Sequence, residues 1–151
     1  MDQKSDTVIS DRWEVRFEAG RNARAKIGMV LIPNEQTIED EMLRVAPAGV
    51  GVFFSRAVTP HEISTAALAQ CGDTLADAAG RILPDDGLDV IAFACTSGSI
   101  AVGEERARAE LARGAPGARA TTLVTGEPRA LDAFGARRIA VGTPYTDELN
   151  T

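Results

Sequence analysis

Cys95 stands at the point of this chain best suited to chemistry. Before it, residues 88–94 make a short apolar run with β-branched and aromatic members, and after it come Thr96, Ser97, Gly98 and Ser99. The run is bounded by Asp85, Asp86 and Gly87 and predicts a strand buried on both faces. The four small residues can cap a helix and let the backbone come close to a ligand. A thiol at a strand-to-helix junction stands at the carboxyl edge of a parallel sheet, where ligands bind, and the unpaired N–H groups of a helix start favour an anion there. The same groups favour a thiolate, the form that acts as nucleophile or base. Packing is the alternative reading, because cysteine often serves only as a small buried hydrophobe.

Three other chemistries fail on the letters. A Walker phosphate loop needs a lysine after the glycine, and none follows Gly98. A phosphatase-type cysteine loop would place an arginine six residues after the cysteine, where this chain has Ala101. A metal site needs several ligands at set spacing, and beyond Cys95 the chain offers Cys71 and His61 in no such pattern. A metal-free thiol facing a small anion remains.

A second polar cluster follows the first predicted strand, residues 27–32, which ends at Pro33. Asn34, Glu35, Gln36 and Thr37 would share a sheet edge with Cys95 if both strands are parallel, since all βα loops of such a sheet open on one side. Thr37 can equally be a helix cap, with Asp40 completing a capping box, whereas the Gln36 amide has no capping duty.

The elements that must hold these residues follow in order. A short helix over residues 38–45 stops before Pro47, and residues 49–55 make the second strand. Thr59, Pro60, His61 and Glu62 read as a capping box opening a helix that runs to about Leu83, which puts His61 in an exposed first turn and Cys71 among packed alanines and leucines. After Cys95 comes a helix over residues 99–112, then a strand over 118–124, a helix from Gly126 to near Phe134, and a fifth strand over 138–141. Strand and helix alternate throughout, the pattern of an α/β fold whose parallel sheet carries helices on both faces. Residues 1–24 are mixed in charge, contain the only tryptophan, Trp13, and read as an extension draped over the domain.

At 151 residues, 44% hydrophobic and 25% charged, the chain has the size and composition of one globular domain. A net charge of −6 with scattered basic residues argues against a nucleic-acid partner. Neither a bilayer-length apolar run nor a signal-type N-terminus is present, so a cytoplasmic protein without membrane contact is expected. The strand-to-helix junction at Tyr145, Thr146, Asp147 and Glu148 opens a further helix that the sequence cuts short, which leads to the expectation of a missing half.

Four features in order carry a family resemblance. They are the first strand with residues 33–37 behind it, the Cys-Thr-Ser-Gly-Ser junction at 95–99, the run over residues 135–141, and the Thr143-Pro144-Tyr145 junction. Over residues 26–151 the chain resembles the aspartate/glutamate racemase superfamily, nearest its maleate cis-trans isomerase, arylmalonate decarboxylase and ectoine-utilisation branches. The resemblance implies two similar flavodoxin-like α/β halves, an active site in the cleft between them, one cysteine from each half, and neither metal nor organic cofactor. Residues 25–135 would then be one α/β domain and residues 136–151 the start of a second. Cys95 matches the first-half cysteine, a nucleophile or proton-transfer base. Thr96 and Ser97 match residues that hold a substrate carboxylate, and Tyr145 matches a tyrosine that donates to one. Gln36 and Thr37 fall where maleate isomerases carry an Asn-Thr pair, and the longer glutamine bears on whether maleate itself fits.

Elementary chemistry agrees with that picture. Removing a proton beside a carboxylate, or adding a thiolate to the double bond of a dicarboxylate, builds charge on carboxylate oxygens that fixed donors stabilise, each typically worth on the order of 3 kcal/mol. Racemisation needs an acid and a base on opposite faces of the carbon, so one cysteine cannot complete it alone. Two readings follow: an isomerase or racemase-type enzyme for a small carboxylate, or a half-length ligand-binding module. Either is expected to pair as a homo-oligomer or with a missing second half.

Overall fold

Alternation along the first strand creates two separate cores. In the computed structural model, residues 12–60, 64–84, 87–145, 147 and 150 are described. Strand β1 (Ala25–Leu31) sends Val30 into a cluster with Leu75, Ile91, Phe93 and Leu111, and sends Met29 and Leu31 into another with Val52 and Ala94. Successive side chains of a strand point to opposite faces, so an apolar run without polar interruption demands a cover on each side.

The covers are unequal. Helix α1 (Ile38–Val45) packs Ile38 and Met42 on the Met29 face, against β1 and β2 (Val50–Arg56). The other face takes α2 (Thr65–Gln70), a 3-10 turn at Cys71–Thr74, α3 (Leu75–Gly80), α4 (Thr96–Val102) and α5 (Glu104–Gly114). Strand β3 (Val90–Phe93) lies beside β1, and β4 (Arg119–Thr122) beside β3, giving a sheet in the order β2-β1-β3-β4 with every pairing parallel. The chain leaves β1 toward one edge of the sheet and leaves β3 toward the other. The carboxyl ends of β1 and β3 therefore flank a topological switch point, where such sheets bind ligands. The α/β class and parallel sheet expected from the alternating elements are present.

Several expectations about elements need correction. The long helix expected from Thr59 to Leu83 begins at Thr65 with Ser64 as its cap, Ala67 N donating to Ser64 Oγ at 3.2 Å, and is interrupted by the 3-10 turn. His61 and Glu62 lie outside the described residues. The helix expected over 99–112 starts three residues earlier, since Cys95 itself takes the cap position, and splits into α4 and α5 at Gly103, whose φ of 84° is open to glycine at little cost. The strand expected over 118–124 stops at Thr122, which caps α6 (Leu123–Ala133).

The fifth strand expected over residues 138–141 is not formed. Residues 136–145 carry no regular structure, and Ile139 and Val141 are 56% and 76% exposed. β-Propensity is realised only where a neighbouring strand offers a ladder and a face to pack on, and nothing described pairs with this segment. The described part of the N-terminal extension, residues 12–24, does not drape over the domain either: Trp13 is 80% and Phe17 92% exposed. Among the described residues, no helix is long and apolar enough to cross a membrane.

Candidate functional site

The turn from β3 into α4 is built around sulfur. Cys95 has an extended backbone, φ −146° and ψ 112°, and its Sγ accepts a hydrogen bond from Gly98 N at 3.2 Å. Ser97 Oγ lies 3.7 Å from the same sulfur. Ser99, fully buried, donates from its Oγ to Cys95 O at 2.6 Å, while its N–H donates to the same carbonyl at 2.9 Å. The residue at 98 must be small, because a Cβ there would stand 3.0 Å from Cys95 Sγ and 2.9 Å from the Phe93 ring. The small residues after Cys95 thus wrap the backbone onto the thiol, and the thiol does the capping work that Ser or Asp does elsewhere.

Cys95 is 7% exposed and packs at the rim of the larger core, which also holds Cys71. Both cysteines are free. Burial pushes the Cys71 thiol up from its ordinary value, and the neighbouring Cys95 adds to that. Thr96 and Ser97 are the first two residues of α4, both half-buried, and Thr96 Oγ1 donates to Glu127 Oε1 of α6 at 3.4 Å. Thr125 Oγ1 donates to the Glu104 carboxylate beside it, and Thr122 Oγ1 accepts from Thr125 N at 3.2 Å.

The loop after β1 is organised by a residue that the spacing did not single out. Glu35 Oε1 accepts from Gln36 N at 2.9 Å, Thr37 N at 2.7 Å, Ile38 N at 3.0 Å and Thr37 Oγ1 at 3.1 Å. Glu35 therefore supplies the side-chain cap of α1, and Thr37, for which capping was one of two readings, holds the cap position but makes no side-chain cap bond. The Thr37 N–H first, then that of Ile38, holds the Glu35 carboxyl below its usual range. Arg56, at the end of β2, braces the loop by donating to Glu35 O at 3.1 Å and to both carboxylate oxygens of Glu39 at 3.0 and 2.9 Å. A glutamate two residues before a presumed threonine cap was the available signal. A carboxylate cradled by three successive N–H groups also marks what the loop can do, which is hold an anion.

Cys95, Thr96 and Ser97 come together, and Gln36 and Thr37 stand on the adjacent loop at the same sheet edge, exposed. The Gln36 side-chain amide makes no hydrogen bond among the described residues. Tyr145 is half-buried in the segment after α6, and no hydrogen bond among the described residues joins it to Cys95, Gln36 or Thr37; its carbonyl accepts from Asn150 Nδ2 at 3.0 Å. Two surface cavities, of about 670 Å³ between α5 and β4 and about 470 Å³ at the start of β1, take in none of these residues.

Comparison with known proteins gives a family from sequence and a matching fold from shape. The sequence profile of the family described as arylmalonate decarboxylase matches residues 27–151. A cysteine-to-alanine variant of the maleate isomerase of Pseudomonas putida S16, solved with maleate, superposes with a TM-score of 0.67 at 23% identity over 83% of this chain and 55% of its own. An arylmalonate decarboxylase superposes at 0.62 and 25% identity, over 83% and 54%. A cysteine-to-serine variant of the Nocardia farcinica maleate cis-trans isomerase, solved with a covalently bound succinylcysteine intermediate, superposes at 0.62 and 24%, over 83% and 55%. The chain thus spans about half the length of these structures. No curated protein matches it.

Proposed function

Because this chain belongs to the arylmalonate decarboxylase family, in the maleate isomerase and arylmalonate decarboxylase branch of the aspartate/glutamate racemase-like superfamily, we propose that it carries one half of a cofactor-independent site acting on a small carboxylate or dicarboxylate, with Cys95 as nucleophile or proton-transfer base. The observation that carries the reading is the Gly98 N–H held on Cys95 Sγ at the switch point of the sheet.

For a cis-dicarboxylate, the sulfur of Cys95 adds to one alkene carbon. A C–S bond forms, the π electrons move onto the other carbon and its carboxylate, and the former double bond rotates. Expulsion of the thiolate then restores the alkene in the trans form, with no net proton needed. A succinylcysteine, as found in the Nocardia farcinica variant, is what such an adduct becomes when its carbanion is protonated. For an arylmalonate, loss of CO₂ leaves the same kind of carboxylate-stabilised carbanion, which the Cys95 thiol protonates. Both routes need donors where charge develops on the carboxylate oxygens. Thr96 and Ser97 at the start of α4, the free amide of Gln36 and the Tyr145 hydroxyl are our candidates. A racemase-type cycle needs a second acid–base group, which we assign to a second half or a second copy.

Incubation of the full chain with maleate, followed by peptide mass mapping, tests the reading without requiring turnover. A succinyl adduct on Cys95, absent from Cys71 and lost in Cys95→Ala, is the expected result. An adduct on Cys71 alone, or maleate and arylmalonate turnover equal in Cys95→Ala and the native chain, would refute it.

A further inference from the structure

Residues 12–18, Arg-Trp-Glu-Val-Arg-Phe-Glu, alternate charged and apolar side chains without a break, the period of a strand with one apolar face. Among the described residues that face is left open: Trp13, Val15 and Phe17 are 80%, 67% and 92% exposed, and the segment has no helix or strand pairing of its own. Three large apolar side chains in a row on an exposed arm mark a surface meant to be covered.

The charges on the opposite face alternate in sign as well: Arg12, Glu14, Arg16, Glu18. Such a strand is its own complement when a second copy runs antiparallel to it with Val15 opposite the partner's Val15. Arg12 then faces the partner's Glu18, Glu14 faces the partner's Arg16, and Trp13 faces the partner's Phe17, each pair occurring twice about the two-fold axis. Parallel pairing in register would instead set arginine against arginine and glutamate against glutamate, which is disfavoured. We propose that residues 12–18 pair with the same segment of a second copy of this chain as an antiparallel two-stranded ribbon, its two-fold axis passing through Val15.

A ribbon of two strands is marginal in water and needs a surface to lie on. The root of the arm supplies one. Arg24 is tied to the loop after α1, its N donating to Gly49 O at 2.9 Å and its Nη1 to Ala48 O at 3.2 Å. Leu43 and Val45, 62% and 69% exposed, lie on α1 just before that loop. Two tryptophans and two phenylalanines contribute about 600–1,000 Å² of buried side chain. With the surface they cover, that reaches the size of a specific interface.

The chain's single tryptophan is in the arm, so its emission reports on the arm alone. Sedimentation of the full chain from low to high micromolar concentration is expected to show a dimer whose Trp13 emission is blue-shifted and moves to the red on dilution, in step with dissociation. Arg16→Glu sets two glutamates against each other twice and weakens the dimer by roughly tenfold, and the double swap Glu14→Arg with Arg16→Glu restores it. A monomer at every concentration overturns the proposal, with red emission meaning an arm that stays free and blue emission an arm folded onto its own chain. A dimer that survives both Arg16→Glu and the pair Trp13→Ser with Phe17→Ser overturns it too, because the copies then meet elsewhere. These side chains are exposed, so the variants keep the fold, which far-UV circular dichroism checks.

Discussion

The sulfur of Cys95 and the backbone N–H of Gly98, 3.2 Å apart, close the turn that ends β3. The closure depends on glycine: a methyl group at 98 would press on Cys95 Sγ at 3.0 Å and on the Phe93 ring at 2.9 and 3.0 Å. Phe93 is fully buried and the backbone is pinned by two bonds from Ser99 to Cys95 O, so neither neighbour yields freely. Gly98→Ala is expected to lower the unfolding free energy by about 1–3 kcal/mol, the usual cost of overpacking, and to slow alkylation of Cys95. Urea unfolding and a timed iodoacetamide reaction read the two effects.

The two cysteines are expected to differ in reactivity. Cys71 is fully buried, and burial raises its thiol above the ordinary value, so less thiolate is present at any given pH and the sulfur is out of reach. Cys95 sits at the rim of the sheet edge with Gly98 N and Ser97 Oγ beside its sulfur. At neutral pH native chain should take one alkyl group quickly, on Cys95, and a second only on denaturation. Mass mapping of the labelled peptides decides the order.

What could be read in the letters was whatever depends on short-range pattern. The apolar runs before Leu31 and Phe93 specify buried strands because both faces of a parallel sheet are covered, and the small residues after Cys95 specify a tight turn. The cap of α1 escaped notice because Thr37 and Glu35 both offer oxygens near the helix start, and only the path of the loop decides which one reaches the N–H groups. Gly103 hid a helix break because a glycine inside a helical pattern is tolerated as often as it ends one. The run over residues 138–141 has strand propensity but no ladder, a fact that resides in its neighbours. Family features were legible in order, whereas among the described residues no hydrogen bond joins Tyr145 to Cys95, and its carbonyl accepts from Asn150 instead.

That missing ladder has a measurable consequence. Ile139 is 56% exposed, so Ile139→Ala should change stability by no more than about 0.5 kcal/mol. Leu111 of α5 is fully buried in the larger core, and Leu111→Ala should cost about 2–5 kcal/mol through lost burial and the cavity left behind. Paired urea titrations test the contrast. A cost for Ile139→Ala comparable to that of Leu111→Ala would mean that residues 138–141 do pack as a strand in solution.

Glu35 links stability to pH and to ligand in one side chain. Its carboxylate takes the N–H groups of Gln36, Thr37 and Ile38, and those bonds hold its folded pKa below the usual 4.5. A carboxyl whose folded pKa is depressed stabilises the fold above its unfolded value and loses that contribution as pH falls through the lower, folded one. Glu35→Ala should therefore cost about 1 kcal/mol at neutral pH, as the loss of a helix cap does, and progressively less in acid, where the native chain has protonated the same group. The substitution also releases three N–H groups and the Thr37 hydroxyl at the switch point of the sheet. An external dicarboxylate should then take the place that the side chain held. Calorimetric titration with succinate is expected to give tighter binding to Glu35→Ala than to the native chain. Equal or weaker binding would place the carboxylate on the α4 side of the crevice alone, at Thr96 and Ser97.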